Sequence, residues 1–313
     1  MKAIILKRPG STDNFEYRDI PVPAISADEV LIKVHSISIN PVDIKTMRGQ
    51  GVFIYANLDR DRELIIGWDI SGTVTASKSG AFKEGDEVFG LINFPGVGAA
   101  YAEYVAVPAS QLALKPANIS HEEAAAATLA ALTAWQNIVH RANVKAGDRV
   151  LIHSAAGGVG HYAIQIAKHL GAYVIGTSSA ANRDFVLSLG ADEHIDYKTQ
   201  QLSTAVKDID FVLDGLDTES LLRSLDVIKP GGKLIGILKP MTDEVQVKAV
   251  VKSVSYEFTS VRSSGDDMKQ LAGLLQSGAV KSHVSKRYAF EDMAAAYLQI
   301  ETGRTVGKVV INL

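Results

Sequence analysis

The chain has no cysteine. That excludes disulfides and any thiolate-bound metal, and it fits a reducing compartment. It also lacks a block of like charge: 32 Lys and Arg stand against 35 Asp and Glu, for a formal net charge of −3. No electrostatic footprint for nucleic acid or an anionic membrane surface is present. Long apolar runs are missing too, since no segment reaches the roughly 18 uninterrupted apolar residues of a membrane span. The opening run Ala3-Ile4-Ile5-Leu6 is too short for the core of a signal sequence. These absences set the expectation of a cytoplasmic protein acting on a small molecule. No low-complexity segment or fixed-period repeat interrupts the chain. With 313 residues and 47% hydrophobic content, it can build one large core or two ordinary ones.

What is there divides by texture. Up to about residue 120 the chain reads as strands and turns: Glu29-Val30-Leu31-Ile32-Lys33-Val34 alternates, Gly85-Asp86 feeds a strand, and Tyr101 to Val107 supplies another. From His121 an alanine-rich helix runs through Trp135, after which strands and helices alternate as far as Leu238. Such alternation predicts a parallel sheet wrapped by helices. Tyr256 to Arg262 offers a last strand. The tail from about residue 265 returns to mixed helix and strand, closing on Gly307 to Leu313.

The most informative stretch is Val150-Leu151-Ile152 followed by Ser154-Ala155-Ala156-Gly157-Gly158-Val159-Gly160, with Ala163, Ile164, Ala167 and Leu170 at helical spacing behind it. A strand runs into a helix through a turn stripped of side chains. Bare N–H groups at such a helix N-terminus welcome an anion. The spacing is that of G-x-G-x-x-G with Ala155 in the first position. Glycines in such a turn also serve packing alone, so the next strand has to decide. There Tyr173-Val174-Ile175-Gly176 leads into Thr177, Ser178 and Ser179, with no carboxylate until Asp184 and with Arg183 beside it. An acid at this place bonds a ribose 2′-hydroxyl, whereas hydroxyls and a guanidinium suit a 2′-phosphate. The expectation is NADPH, with Ala156, Gly157, Gly158 and Val159 at the pyrophosphate and Ser178, Ser179 and Arg183 at the 2′-phosphate.

The ordered motifs Met1-Lys2-Ala3, Asn40-Pro41-Val42-Asp43, Gly67-Trp68-Asp69-Ile70-Ser71-Gly72, Leu132-Thr133-Ala134-Trp135 and Ser154 to Gly160 resemble the medium-chain dehydrogenase/reductase superfamily, specifically its zinc-free quinone oxidoreductase-like branch. The resemblance spans nearly the whole chain. It implies an α/β protein with a GroES-like β-barrel domain at 1–121 with 265–313 and a Rossmann NADP-binding domain at 122–264. It also implies a homodimer joined through the segment Tyr256 to Arg262. Zinc-dependent relatives hold their metal through Cys, His and Cys at three of these motifs, where this chain has Asn40, Trp68 and Leu129. No metal is expected. His153, His161 and His169 around the glycine turn have no ligand spacing and read as structural.

The resemblance further implies hydride transfer to a quinone or an α,β-unsaturated carbonyl, whose conjugation spreads the resulting negative charge without a Lewis acid. Reduction of enoyl thioesters, or cofactor binding without catalysis as a redox sensor, are the alternatives. Asn40 is the catalytic candidate, its amide donating to a carbonyl oxygen; Asn before Pro41 is equally a helix N-cap, and both roles stay open. Thr133 is implied near the nicotinamide, Tyr197 near the adenosine phosphate, and Gly236, Ile237 and Leu238 at the carboxamide. Asp43 and Asp69 read as braces, Trp68 as core or a stacking surface, and Arg304 and Tyr55 carry no firm role.

Overall fold

The computed structural model describes residues 1–238, 240 and 242–313. The chain forms two compact units, Met1–Leu132 with Val261–Leu313, and Thr133–Ser260. The first boundary lies eleven residues beyond the expected residue 121, because helix His121–Ala126 packs on strands Glu29–Ile39, Asp69–Ser77 and Lys308–Asn312 of the β-rich unit. The second lies at Ser260 rather than residue 264. Ser120 caps the helix through a reciprocal box with Glu123, its hydroxyl accepting from the Glu123 N–H at 3.1 Å. Such a cap contributes about 1 kcal/mol.

In the β-rich unit a seven-stranded sheet centres on the long strand Glu29–Ile39. Its alternation buries Val30, Ile32 and Val34, as the sequence pattern requires of a half-buried strand. Asp69–Ser77 pairs along one side of this strand, while the other side is shared between Tyr104–Pro108 and the closing strand Lys308–Asn312. Register shifts between Leu31 and Ile32 and between Val34 and Ser36 mark irregularities in its pairing with Asp69–Ser77. Val309 and Ile311 join Ile37, Ile39 and Tyr297 in one core. The C-terminal tail is thus part of the first unit's interior.

The alanine-rich segment is not one helix. It breaks into His121–Ala126 and Leu129–Trp135, with the Asp69 carboxylate accepting the Leu129 N–H at 3.0 Å. A buried acid at a helix N-terminus satisfies an otherwise orphaned donor.

In the second unit six strands are all parallel, and numbered along the chain they lie in the order 3-2-1-4-5-6. That is the doubly wound dinucleotide-binding order, which places ligands at the carboxyl ends where the winding reverses, between Arg149–Ile152 and Ile209–Asp214. Val150, Leu151 and Ile152 are fully buried, as are Ala163, Ile164 and Ala167 of helix Gly160–His169, which packs on that strand. The last strand, Ser255–Phe258, stands at the sheet's edge.

Candidate active site

The turn after strand Arg149–Ile152 is tight enough to require glycine at position 160. Ser154 adopts φ +50°, Ala155 N–H donates to Thr177 C=O at 2.9 Å, and Gly157 N–H donates to Ser154 C=O at 2.8 Å. A Cβ on Gly160 would stand 2.2 Å from the Ser154 oxygen, and one on Gly157 would stand 3.1 Å from it. No side chain fits at Gly160. The methyl of Ala155, which departs from the first glycine of the motif, is matched by Gly176 on the neighbouring strand, where a Cβ would stand 2.9 Å from Ala155 Cβ. Ala156 is buried, whereas Gly157, Gly158 and Val159 are half-buried at the start of a ten-residue helix. This cradle of backbone fits a pyrophosphate.

At the end of strand Tyr173–Ser178, the Ser178 hydroxyl donates to Ser179 C=O at 3.1 Å and lies 2.8 Å from His194 Nε2. Ser179 sits at the N-cap of the turn Ala180–Asn182. The Arg183 side chain is 60% exposed, with Asp184 at 3.6 Å. Tyr197 is exposed, and its N–H donates to Ser178 C=O at 3.3 Å. The fold adds an acid that linear spacing did not bring here, since Asp196 is in register with Ser178 on the adjacent strand. Its carboxylate accepts from Lys198 N–H at 3.1 Å and Thr199 Oγ1 at 3.0 Å, and the Lys198 N–H bond leads the influences that hold its pKa below the usual carboxylate value.

Beneath the turn lies a buried polar cluster. His153 Nδ1 is 2.9 Å from Thr177 Oγ1 and its Nε2 is 2.9 Å from Ser224 Oγ, while Asp214 accepts from Ser220 Oγ, Ser224 Oγ and Leu216 N–H. Burial pushes the His153 imidazole towards its neutral form against the pull of Asp214. His161 Nδ1 lies 3.0 Å from Gly157 C=O. Ile237 N–H donates to Asp214 C=O at 2.9 Å, and Gly236 C=O accepts from Thr259 N–H at 3.0 Å. Ile237 and Leu238 are half-buried beyond that strand. Thr133 is 6% exposed, with its carbonyl accepting from Asn137 Nδ2 at 2.8 Å.

In the β-rich unit Asn40 opens helix Pro41–Met47, and its backbone N–H donates to Asp43 at 2.8 Å. Its side chain turns elsewhere: Nδ2 donates to Asp69 Oδ2 at 2.8 Å and Oδ1 accepts from Lys308 Nζ. Asn40 is 2% exposed, so its amide oxygen and one amide N–H serve the protein interior. The network continues from Asp43 to Tyr101, whose hydroxyl donates to Asp43 Oδ1 at 2.8 Å and lies 2.9 Å from the Tyr297 hydroxyl. Burial, with the neighbouring Asp69 charge, raises the Asp43 carboxyl to about 7. Burial also pushes Asp69 up and Lys308 down, each against the other's attraction across 3.7 Å. Trp68 is core, 1% exposed, with its indole N–H on Gly96 C=O at 2.8 Å and its ring edge-to-face with Phe94. Tyr55 ends a short helix, 70% exposed.

Residues 26–117 match the family model for an alcohol dehydrogenase GroES-like domain, and residues 189–311 match that for a zinc-binding dehydrogenase. The chain belongs to the medium-chain dehydrogenase/reductase superfamily. A quinone-oxidoreductase homologue of Spinacia oleracea chloroplasts is 38% identical over 97% of this chain and 95% of its own. An Arabidopsis thaliana chloroplastic NADPH-dependent alkenal/one oxidoreductase is 34% identical over 99% of this chain and 79% of its own. The solved quinone oxidoreductase of Coxiella burnetii superposes with a TM-score of 0.92 at 32% identity, covering 100% of this chain and 99% of that one. These place the chain in the superfamily's quinone oxidoreductase-like branch.

The zinc site of the superfamily does not fit here. Asn40 has its amide oxygen on Lys308, Trp68 offers only a committed N–H donor, and Leu129 has no heteroatom in its side chain. Among the described residues no three His, Cys, Asp or Glu side chains converge on a metal position. Sequence reasoning missed Lys308, Tyr101, Tyr297 and His194. The one available signal was a lysine heading the otherwise apolar run Val309-Val310-Ile311.

Proposed function

We infer that the protein is an NADPH-dependent reductase of quinones or α,β-unsaturated carbonyls that works without a metal. The carrying observation is the closed turn at Gly160 together with the hydroxyls of Ser178 and Ser179 and the exposed guanidinium of Arg183 at the end of the next strand. NADPH, when bound, supplies a hydride to the conjugated acceptor. The backbone N–H groups of Gly158 and Val159 would hold the pyrophosphate, with Ala156 and Gly157 lining the cradle and the Gly157 N–H kept on Ser154 C=O, and Ser178, Ser179, Arg183 and Tyr197 would hold the phosphorylated adenosine. Backbone groups of Gly236, Ile237 and Leu238 orient the carboxamide, with Thr133 beside the nicotinamide. A conjugated acceptor spreads its developing charge, so hydrogen bonds suffice and solvent supplies the proton. Asn40 then acts chiefly by holding Asp69 and Lys308 in place, with one amide hydrogen left to donate to a carbonyl oxygen.

The similarity to proteins named as quinone and alkenal/one oxidoreductases supports this reading. The same reading carries a cytoplasmic homodimer, paired along the exposed edge of strand Ser255–Phe258. A monomer in sedimentation velocity overturns the dimer. Among the described residues no helix is long and apolar enough to cross a membrane. Reduction of enoyl thioesters is the second reading, supported by the likeness to a solved CurK enoyl reductase at 27% identity and a TM-score of 0.90.

The test follows oxidation of NADPH, and separately NADH, by EDTA-treated protein given a simple quinone or a short enone. Turnover with NADPH that survives EDTA is expected. Turnover of a short enoyl thioester alone, abolished by Tyr55→Phe, selects the second reading. Tight NADPH binding with no turnover of any acceptor leaves a redox sensor in its place.

A further inference from the structure

The two strands at the edge of the parallel sheet, Glu193–Asp196 and Tyr173–Ser178, bring His194 against the residue that ends the second one. The Ser178 hydroxyl lies 3.1 Å from Ser179 C=O and 2.8 Å from His194 Nε2. In either tautomer the neutral imidazole keeps one ring nitrogen able to take up a proton, and the protonated ring donates to Ser178 Oγ through Nε2. An aliphatic side chain at this position would make no such bond. The groups around the ring are few: Arg183 from the helix Arg183–Ser188, Ser178 from the neighbouring strand, and Asp196 from its own.

Resting on the NADPH reading above, we propose that His194 is a specificity-determining positioning residue: its imidazole holds the Ser178 hydroxyl and, once protonated, adds a second cation beside Arg183 that favours a 2′-phosphate over a 2′-hydroxyl. In the free protein, burial and the Arg183 charge both hold the imidazole below its ordinary value, against the smaller pull of Asp196. A dianionic phosphate received by Arg183 offsets that repulsion, so binding NADPH draws a proton onto His194, whereas NADH does not. The preference for NADPH is thereby tied to pH through this one side chain.

The experiment measures dissociation constants of NADPH and NADH by titration calorimetry, at about pH 6 and about pH 8.5, for the full-length wild type and for His194→Gln. Glutamine keeps a donor for Ser178 but never charges. The 2′-phosphate of free NADPH titrates near pH 6 whichever protein is present, so the difference between the two proteins reports the bound state, where His194 and the phosphate are coupled. His194→Gln is expected to lower the NADPH-to-NADH affinity ratio about fivefold at the lower pH and to leave it unchanged at the higher, the scale of one charge-assisted hydrogen bond. Unchanged NADH affinity shows that the nucleotide site is still folded. His194→Leu, which loses the hydrogen bond as well, is expected to lower the ratio at both values. A wild type that binds NADH as tightly as NADPH overturns the cofactor reading, and this inference with it. A wild type that prefers NADPH while His194→Gln matches it at both pH values overturns this inference alone. So does an equal fall at both pH values, which would mean that shape rather than charge is lost.

Discussion

In the β-rich unit the buried polar cluster holds a lysine and two aspartates, Lys308, Asp69 and Asp43, whereas in the parallel-sheet unit an imidazole and the hydroxyls of Thr177, Ser220 and Ser224 surround a single aspartate, Asp214. The first cluster balances charge against charge. Lys308 and Asp69 are 3% and 0% exposed, so neither has water to fall back on. The second disperses one carboxylate over neutral donors, and Asp214 keeps three of them whatever happens to His153. A charged cluster of that kind specifies one arrangement of strands and fails as a whole; a hydroxyl cluster fails by increments.

The largest break in that comparison should come from Lys308→Met. It leaves Asp69 buried without its cation, and urea denaturation is expected to show a loss of about 3–5 kcal/mol. The double variant Asp69→Asn, Lys308→Met should recover part of it, because no unpaired charge remains. His153→Leu, the matching break in the other unit, is expected to cost about 1–3 kcal/mol. If it cost as much as Lys308→Met, the contrast between the clusters would collapse.

A further measurement sharpens the comparison through pH. Burial and Asp69 raise Asp43 in the folded protein to about 7, well above its unfolded value near 4. The folded chain therefore binds more protons in that window, and the stability this carboxyl contributes is complete below about pH 4 and lost as pH rises through about 7. Buried imidazoles such as His153 act in the opposite sense, so the Asp43 contribution is read as a difference: the thermal midpoint of Asp43→Asn relative to wild type should rise between about pH 5 and pH 8. A difference between the two proteins that stays constant with pH would place the titration elsewhere.

Much of this molecule was legible from the chain alone where the determinants are local. Alternation placed Val30, Ile32 and Val34 in the core, and the glycine turn declared its strand and its helix because a missing Cβ has the same consequence in any context. The break of the alanine-rich segment at Ala127 and Thr128 was not legible, since it answers to Asp69, which lies 60 residues away from Leu129. Asn40 shows the same limit. Its place before Pro41 marked a helix start correctly, yet the destination of its amide was decided by Lys308, 268 residues further on.

By itself, then, the sequence determined that a strand would run through a turn stripped of side chains into a helix, that no cysteine would serve a metal, and that two textures would make two units. Short-range periodicity and the loss of side chains are written in neighbouring residues. Only the tertiary structure decided that Gly176 makes room for Ala155, that Lys308 closes the network of Asn40 and Asp69, and that His194 grips Ser178. Each of those depends on strand order and register, which bring together residues that the linear chain keeps apart.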